Sequence, residues 1–390
     1  MSLSLINLSC DLKRLRDEGY EIVVISNYVV VKSVPYVNAS KTILYADLIS
    51  ELTLAGDRTT KPGNHTMFFT GEHPCNLNGE PLKGLVNSSN QQQLADDLLS
   101  KHMFSSKPPG GYTDYYHKFT TYINILQSQA QAIDLKVTAK TFKVIEMEDE
   151  ESVFRYLDTA SSRANIMSLV NAFKGQKIGI IGLGGSGAYI LDYVAKTPVA
   201  EIHLFDRDII LSHNAFRIPG AATLTQLKQQ ISKVRYLKAI YSEMHKHIIA
   251  HEVYIDQTNT QLLNELNFIF LTLDDSEYKK EIIDYLNDLK ISFIDVGIGI
   301  YYENGSLGGH VRATTGTESK QDHLVNRISF AMHQGPNEYA ENIQIAELNS
   351  MSACMAVIKW KKLLGIYHDD IKEHNSIYTI GGNNLINEDR

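Results

Sequence analysis

Asp206, Asp208, Asn214, Arg217, Lys233 and Asp274 follow the stretch Gly182-Leu-Gly-Gly-Ser-Gly187, and these are the residue types that a bound phosphate ester needs around it. Gly182, Gly184 and Gly187 have G-x-G-x-x-G spacing. The first allows a tight turn, the second lets backbone approach a phosphate, and the third lets a helix lie close to a strand. Gly185 sits in the same turn and is grouped with them. The helix that follows aims its N-terminal amides and positive dipole end at whatever lies over the glycines. Asp206 closes the next strand at the spacing of a carboxylate that accepts hydrogen bonds from ribose hydroxyls. A glycine triplet alone also arises in structural turns. The apolar strand before it, the helical run after it and Asp206 together make it a nucleotide site. A dinucleotide needs little beyond a helix end to neutralise its pyrophosphate. A triphosphate about to lose pyrophosphate needs cations on its phosphates and a carboxylate on magnesium, so the set favours ATP with Mg2+ over NAD.

The elements that must position these groups alternate. Residues 177–181 read as an apolar strand, 188–196 as a helix and 202–206 as the strand ending on Asp206. A helix is expected over 228–246, a strand over 268–273 ending at Asp274-Asp275, a helix over 277–288 and a strand over 291–296. Strands alternating with helices imply a parallel sheet covered on both faces. Asn304-Gly305 is a hairpin signal, so antiparallel strands should follow. Residues 313–339 are polar and poorly patterned and read as a mobile crossover loop; 347–365 is an apolar helix ended by glycine. Upstream, 152–173 has helical apolar spacing with Arg163 on it, and Glu146-Met-Glu-Asp-Glu-Glu151 reads as a linker or helix start. In the N-terminal part, 11–18 reads as a charged surface helix and 21–25 with 28–34 as a hairpin about Ser26-Asn27. Short strands are expected over 48–54 and 66–70, and a helix whose aromatic residues pack a core over 112–126. The fold class is α/β: a Rossmann-like, mostly parallel sheet with helices on both faces over 149–390, plus an N-terminal α+β domain over 1–148.

A chain of 390 residues is too long for one ordinary core, which agrees with two domains. Hydrophobic content of 43% and charged content of 21% are those of a soluble globular protein. No apolar run reaches membrane-helix length and no secretion signal opens the chain. Three cysteines, Cys10, Cys75 and Cys354, provide neither a disulfide framework nor a C-x-x-C zinc pair, which fits a reducing cytoplasm. The net charge of -8 argues against broad nucleic-acid binding while leaving room for a local basic groove.

In order and spacing, Gly182-Leu-Gly-Gly-Ser-Gly187, Asp206-x-Asp208 with Asn214 and Arg217, Lys233 and Asp274 resemble the adenylation domain of the ThiF/MoeB/ubiquitin-activating superfamily. The likeness runs from about residue 163 to the C-terminus. Glu347-Leu-Asn349 and Tyr378-x-Ile-x-x-Asn-x-Leu385 look like that family's closing elements. The resemblance implies an enzyme that uses Mg-ATP to adenylate a C-terminal carboxylate, typically that of a ubiquitin-like or sulfur-carrier protein ending in glycine. Asp206 would then meet the ribose, and Asn214 and Arg217 would orient the triphosphate, Arg217 through its fork of donors. Lys233 would meet the phosphates as a point charge, with Lys228 and Lys238 as neighbouring alternatives. Asp274 would hold magnesium, with Asp275 one register on. Arg163 resembles the arginine that reaches into the partner's active site in family dimers, which would make the enzyme a homodimer; it reads equally as a solvent-exposed helix arginine.

The sequence also departs from the family. Thioester-forming members place a cysteine in or near the crossover loop, and residues 313–339 contain none. Cys354, in an apolar helix, reads as a structural thiol. Cys75 sits in a turn beside His73, which could leave it accessible and lower its pKa. His73-Pro74 with Asn78-Gly79 resembles the loop before the active cysteine of ubiquitin-conjugating enzymes, yet no cysteine stands at the corresponding place. The N-terminal domain could be an inactive relative of that fold, a carrier platform or a dimerisation element. Rival readings are an enzyme of the same fold acting on a small peptide or an RNA-borne carboxylate, an NAD-dependent oxidoreductase, and a non-catalytic binding subunit.

Overall fold

The computed structural model describes residues 2–147, 152–163, 166–273, 277–330 and 343–390. The chain divides into two compact units, Met1–Ile145 and Glu146–Arg390.

The N-terminal unit is a six-stranded antiparallel sheet in the order Ile22–Ile25, Tyr28–Val37, Ile43–Glu51, Thr66–Phe69, His102–Ser105, Val86–Ser88. The expected hairpin is present: Ile25 pairs with Tyr28, and Ser26 takes a left-handed φ of 51° to close it. Successive valines of Tyr28–Val37 point to opposite faces, as strand period demands. Val29 and Val31 join the larger core with Leu12 and Leu15 of the helix Cys10–Asp17, while Val30 faces Ile49, Phe68 and Leu98. The helix Tyr115–Gln131 starts where the Asp114 side chain accepts the His117 N–H at 2.7 Å. It buries Tyr115, Phe119, Tyr122, Ile123 and Leu126 along one stripe, so its aromatic residues are core.

The C-terminal unit holds an eight-stranded sheet in the order Ile248–His251, Glu201–Phe205, Lys177–Ile181, Phe268–Leu271, Ser292–Glu303, Ser306–Gly316, Asn375–Thr379, Asn384–Glu388. The first five strands are parallel and the remainder antiparallel. One face packs the helices Gly185–Val194, Lys233–Tyr241 and Ala346–Leu363; the other packs Glu277–Asp288. The order reverses at Lys177–Ile181, whose sequence successors lie to one side and Phe268–Leu271 to the other. This is the topological switch point at which open α/β sheets bind ligands. The Asn304-Gly305 turn, with both φ values positive (51° and 83°), joins Ser292–Glu303, which runs well past the expected 291–296, to the antiparallel strand Ser306–Gly316.

Three expectations change. Residues 228–246 are not one helix: Leu224–Gln229 ends on Gln230 in left-handed conformation, and Lys233–Tyr241 restarts with Ser232 accepting the Arg235 N–H at 3.4 Å. Residues 152–173 form the short helices Thr159–Arg163 and Met167–Val170 and a 3-10 turn Asn171–Phe173, because apolar spacing cannot tell separate turns from one helix. The segment 313–339 is not loop throughout: Ser306–Gly316 continues as strand and Leu324–Arg327 is helical, while 331–342 lie outside the described residues.

Candidate nucleotide site

The four glycines of the turn answer to different neighbours. Gly182 has φ +87°, and a Cβ there would stand 2.8 Å from the Thr272 carbonyl oxygen. At Gly187 a Cβ would meet the Gly182 carbonyl oxygen at 2.0 Å, so the helix can approach the turn only without a side chain. Gly185 is closed by Asn349 of the helix Ala346–Leu363, whose Cγ would lie 2.2 Å from such a Cβ. Gly184 differs, because a Cβ there would meet nothing within 4 Å. Protein packing therefore accounts for three of these glycines, and open space stands over the fourth, at the start of the helix Gly185–Val194.

Asp206 is the inner post of the site and is 5% exposed. Its Oδ2 accepts the Leu183 N–H and its Oδ1 accepts the Asp208 N–H, both at 2.7 Å, so one carboxylate braces the glycine turn and the loop after its own strand. Burial raises the Asp206 pKa, and the nearby Lys233 charge opposes without cancelling it. Lys233, 6% exposed, opens its helix; its N–H donates to the Asp208 carbonyl at 2.8 Å. Its Nζ donates to Asp208 Oδ2 at 2.7 Å and stands 3.7 Å from Asp206 Oδ2. Asp208 is half-exposed. Partial burial works to raise its pKa, but hydrogen bonds from Lys233 and Tyr254 and the Arg217 charge hold it below the ordinary carboxylate value.

Asn214 is buried, with its Oδ1 accepting the Leu211 N–H at 2.9 Å, so its oxygen shapes the loop. Arg217 is half-buried nearby, close enough for its charge to act on Asp208. Asp206, Asp208, Arg217 and Lys233 are thus brought together beside the glycine turn. Asp274 and Asp275 lie outside the described residues, and Arg163 ends a short helix whose last side chains are likewise undescribed. Among the described residues, no group of three or more His, Cys, Asp or Glu is arranged to hold a metal ion.

Sequence reasoning missed three contributors. Thr272 Oγ1 donates to the Gly182 carbonyl at 2.6 Å, clamping the turn to the neighbouring strand. Asn349 accepts from Ser186 Oγ at 3.1 Å; the Glu347-Leu-Asn349 motif pointed to its segment but not to this contact. The Tyr254 hydroxyl donates to Asp208 Oδ1. Neither Thr272 nor Tyr254 sits in a spacing that marks it, since each acts through a fold contact distant in sequence.

The cysteine expectations also resolve. Cys75 is 1% exposed, with its Sγ turned to the His73 carbonyl oxygen at 3.5 Å, and burial raises its pKa rather than His73 lowering it. An accessible, activated Cys75 is therefore ruled out. Cys354 is half-buried against the Tyr193 hydroxyl at 3.4 Å. No described helix is long and apolar enough to cross a membrane.

This glycine cradle on a switch-point sheet belongs to a recognised class of nucleotide-binding domain. The ThiF family model matches residues 164–381, more than half the chain, and the chain belongs to the ThiF family. Residues 10–159 match a family described only as a domain of unknown function (DUF6791). A curated relative, tRNA threonylcarbamoyladenosine dehydratase of Haemophilus influenzae, is 27% identical over 120 residues, 30% of this chain. That match spans 46% of the relative, less than half its length. Among solved structures, PaaA aligns with a TM-score of 0.47 at 16% identity over 57% of this chain and 76% of that one. E. coli MccB with ATP aligns at 0.45 and 15% identity over 59% and 71%.

Proposed function

We propose that this chain uses ATP and magnesium to adenylate the C-terminal carboxylate of a ubiquitin-like or sulfur-carrier protein ending in glycine. The observation that carries the nucleotide half of this reading is the open space over Gly184, together with a buried ammonium, Lys233, 3.7 Å from the Asp206 carboxylate that braces the turn. The cradle fits a polyphosphate: helix amides converge on it, and cations border it. Gly184 admits a phosphate against backbone, the Asp206–Asp208 edge takes the ribose, and Lys233 and Arg217 face the phosphates. Magnesium would neutralise phosphate charge and is assigned to Asp274 on chemical grounds alone.

The chemistry asks little of the chain beyond placement. The substrate carboxylate is already ionised at neutral pH. Its oxygen forms a bond to the α-phosphorus as the bond to the bridging oxygen breaks and pyrophosphate departs. Lys233 and Arg217 stabilise charge on the departing group, and the glycine turn holds the reacting groups in line. A homodimer in which Arg163 completes the partner's site belongs to the same reading.

One observation favours a second substrate. The curated relative is named for an RNA-borne group, so an RNA-borne carboxylate is the alternative within the same fold. Intact-mass measurement after incubation with Mg-ATP and a carrier separates the two. A carrier heavier by one AMP, lost with Lys233→Met by at least about tenfold in rate, supports the proposal. Pyrophosphate release that requires RNA and no carrier replaces it with the alternative. Stabilisation by NAD but not by Mg-ATP sinks both.

A further inference from the structure

Tyr254 stands three residues beyond the strand Ile248–His251 and is 51% exposed. Its hydroxyl donates to Asp208 Oδ1, while Asp208 Oδ2 accepts from Lys233 Nζ at 2.7 Å. Lys233 stands 3.7 Å from Asp206 Oδ2, the atom that receives the Leu183 N–H. A continuous series of polar contacts thus joins a half-exposed phenol to the backbone of the glycine turn. Its weak point is the Lys233–Asp208 pair. An ammonium held closely by one carboxylate has less attraction left for an incoming phosphate. A second donor on the same carboxylate spreads its negative charge and fixes its rotamer.

Resting on the reading that this site takes ATP, we propose that Tyr254 is a positioning residue: by donating to Asp208 Oδ1 it fixes that carboxylate's rotamer and draws off part of its negative charge, leaving Lys233 more attraction for the phosphates. Lys233 then stays presented to the triphosphate. Tyr254 acts through Asp208 on a charge, so its effect must follow the phosphates and vanish when the ammonium is gone. A purely structural tyrosine has neither property.

The test is calorimetric binding of Mg-ATP and of adenosine to the full chain, Tyr254→Phe, Lys233→Met and the double variant. Tyr254→Phe should weaken ATP by about fivefold, the scale of one hydrogen bond to a charged group at a half-exposed position. Adenosine should bind as before, and Tyr254→Phe should cause no further loss in the Lys233→Met background. Equal weakening of ATP and adenosine overturns the proposal, as does an undiminished Tyr254→Phe effect without Lys233. Unchanged ATP affinity in Tyr254→Phe overturns it while leaving the ATP reading intact. A wild-type chain that binds no ATP overturns both.

Discussion

Lys118 of the N-terminal unit and Lys233 of the C-terminal unit are both buried, and the two ammonium groups are held in opposite ways. Lys118, in the N-terminal unit, is 0% exposed, and its Nζ donates to Ser50 Oγ at 2.8 Å and Asn64 Oδ1 at 3.1 Å, both neutral groups. Burial pushes it down to about 8, with Glu51 pulling only weakly the other way. Lys233, in the C-terminal unit, lies against two carboxylates at 2.7 and 3.7 Å. Lys118 is a side chain whose length fills a helix-to-sheet interface and whose charge is tolerated there. Lys233 is held as an ion pair, with its counter-ions beside the glycine turn, where the proposed function puts a phosphate. Burial alone therefore does not mark a functional lysine. The difference lies in whether acidic partners and empty space accompany it.

The strongest way to break the comparison is to separate packing from ligand space in the C-terminal unit. Gly187→Ala should lower that unit's stability by about 3 kcal/mol, because the new methyl meets a backbone carbonyl that cannot step aside. Unfolding followed by fluorescence of Trp360, the chain's single tryptophan, reads this directly. Gly184→Ala, whose methyl would meet no protein atom, should leave the same transition within about 0.5 kcal/mol while weakening ATP. Equal destabilisation by the two would remove the reason for assigning open space at Gly184 to a ligand.

Lys118 supplies the next largest effect. Its folded-state pKa of about 8 lies below its ordinary value of 10.5, so the unfolded chain holds the proton more tightly. Between those values unfolding takes up a proton, and the N-terminal unit should gain about 3 kcal/mol as pH rises through that window. Below pH 8 the penalty is fully present. Hydrogen exchange in the helix Tyr115–Gln131 should show this rise in the wild type and lose it in Lys118→Met. A pH-independent wild type would mean that Ser50, Asn64 and Glu51 compensate the buried ammonium in full. Asp114→Ala, which removes the cap of that helix, should cost about 1 kcal/mol in the same measurement and leave the Trp360 transition unmoved.

Much of the C-terminal unit was legible because its signals are local. The glycine spacing, the helix Glu277–Asp288, the Asn304-Gly305 turn and the apolar helix ended near Gly365 are each written within a few consecutive residues. The break at Gln230 was not read, although Thr223 with Gln226 forms a capping box and Ser232 caps the next helix. The apolar period ran on across the gap and outweighed them.

The sequence by itself determined the fold class, the family resemblance and the set of polar residues at the ends of the strands. Spacing, periodicity and turn chemistry all act over short distances along the chain. Only the tertiary structure decided which partners those residues take. Asp206 braces Leu183 and Asp208 as well as bordering the cradle, Cys75 is sealed under its own loop, and Tyr254 and Thr272 reach the site from segments that follow strands far away in sequence. Such contacts depend on which strand lies beside which, and a register set by hydrophobic burial across the sheet leaves no local mark on the residues it brings together.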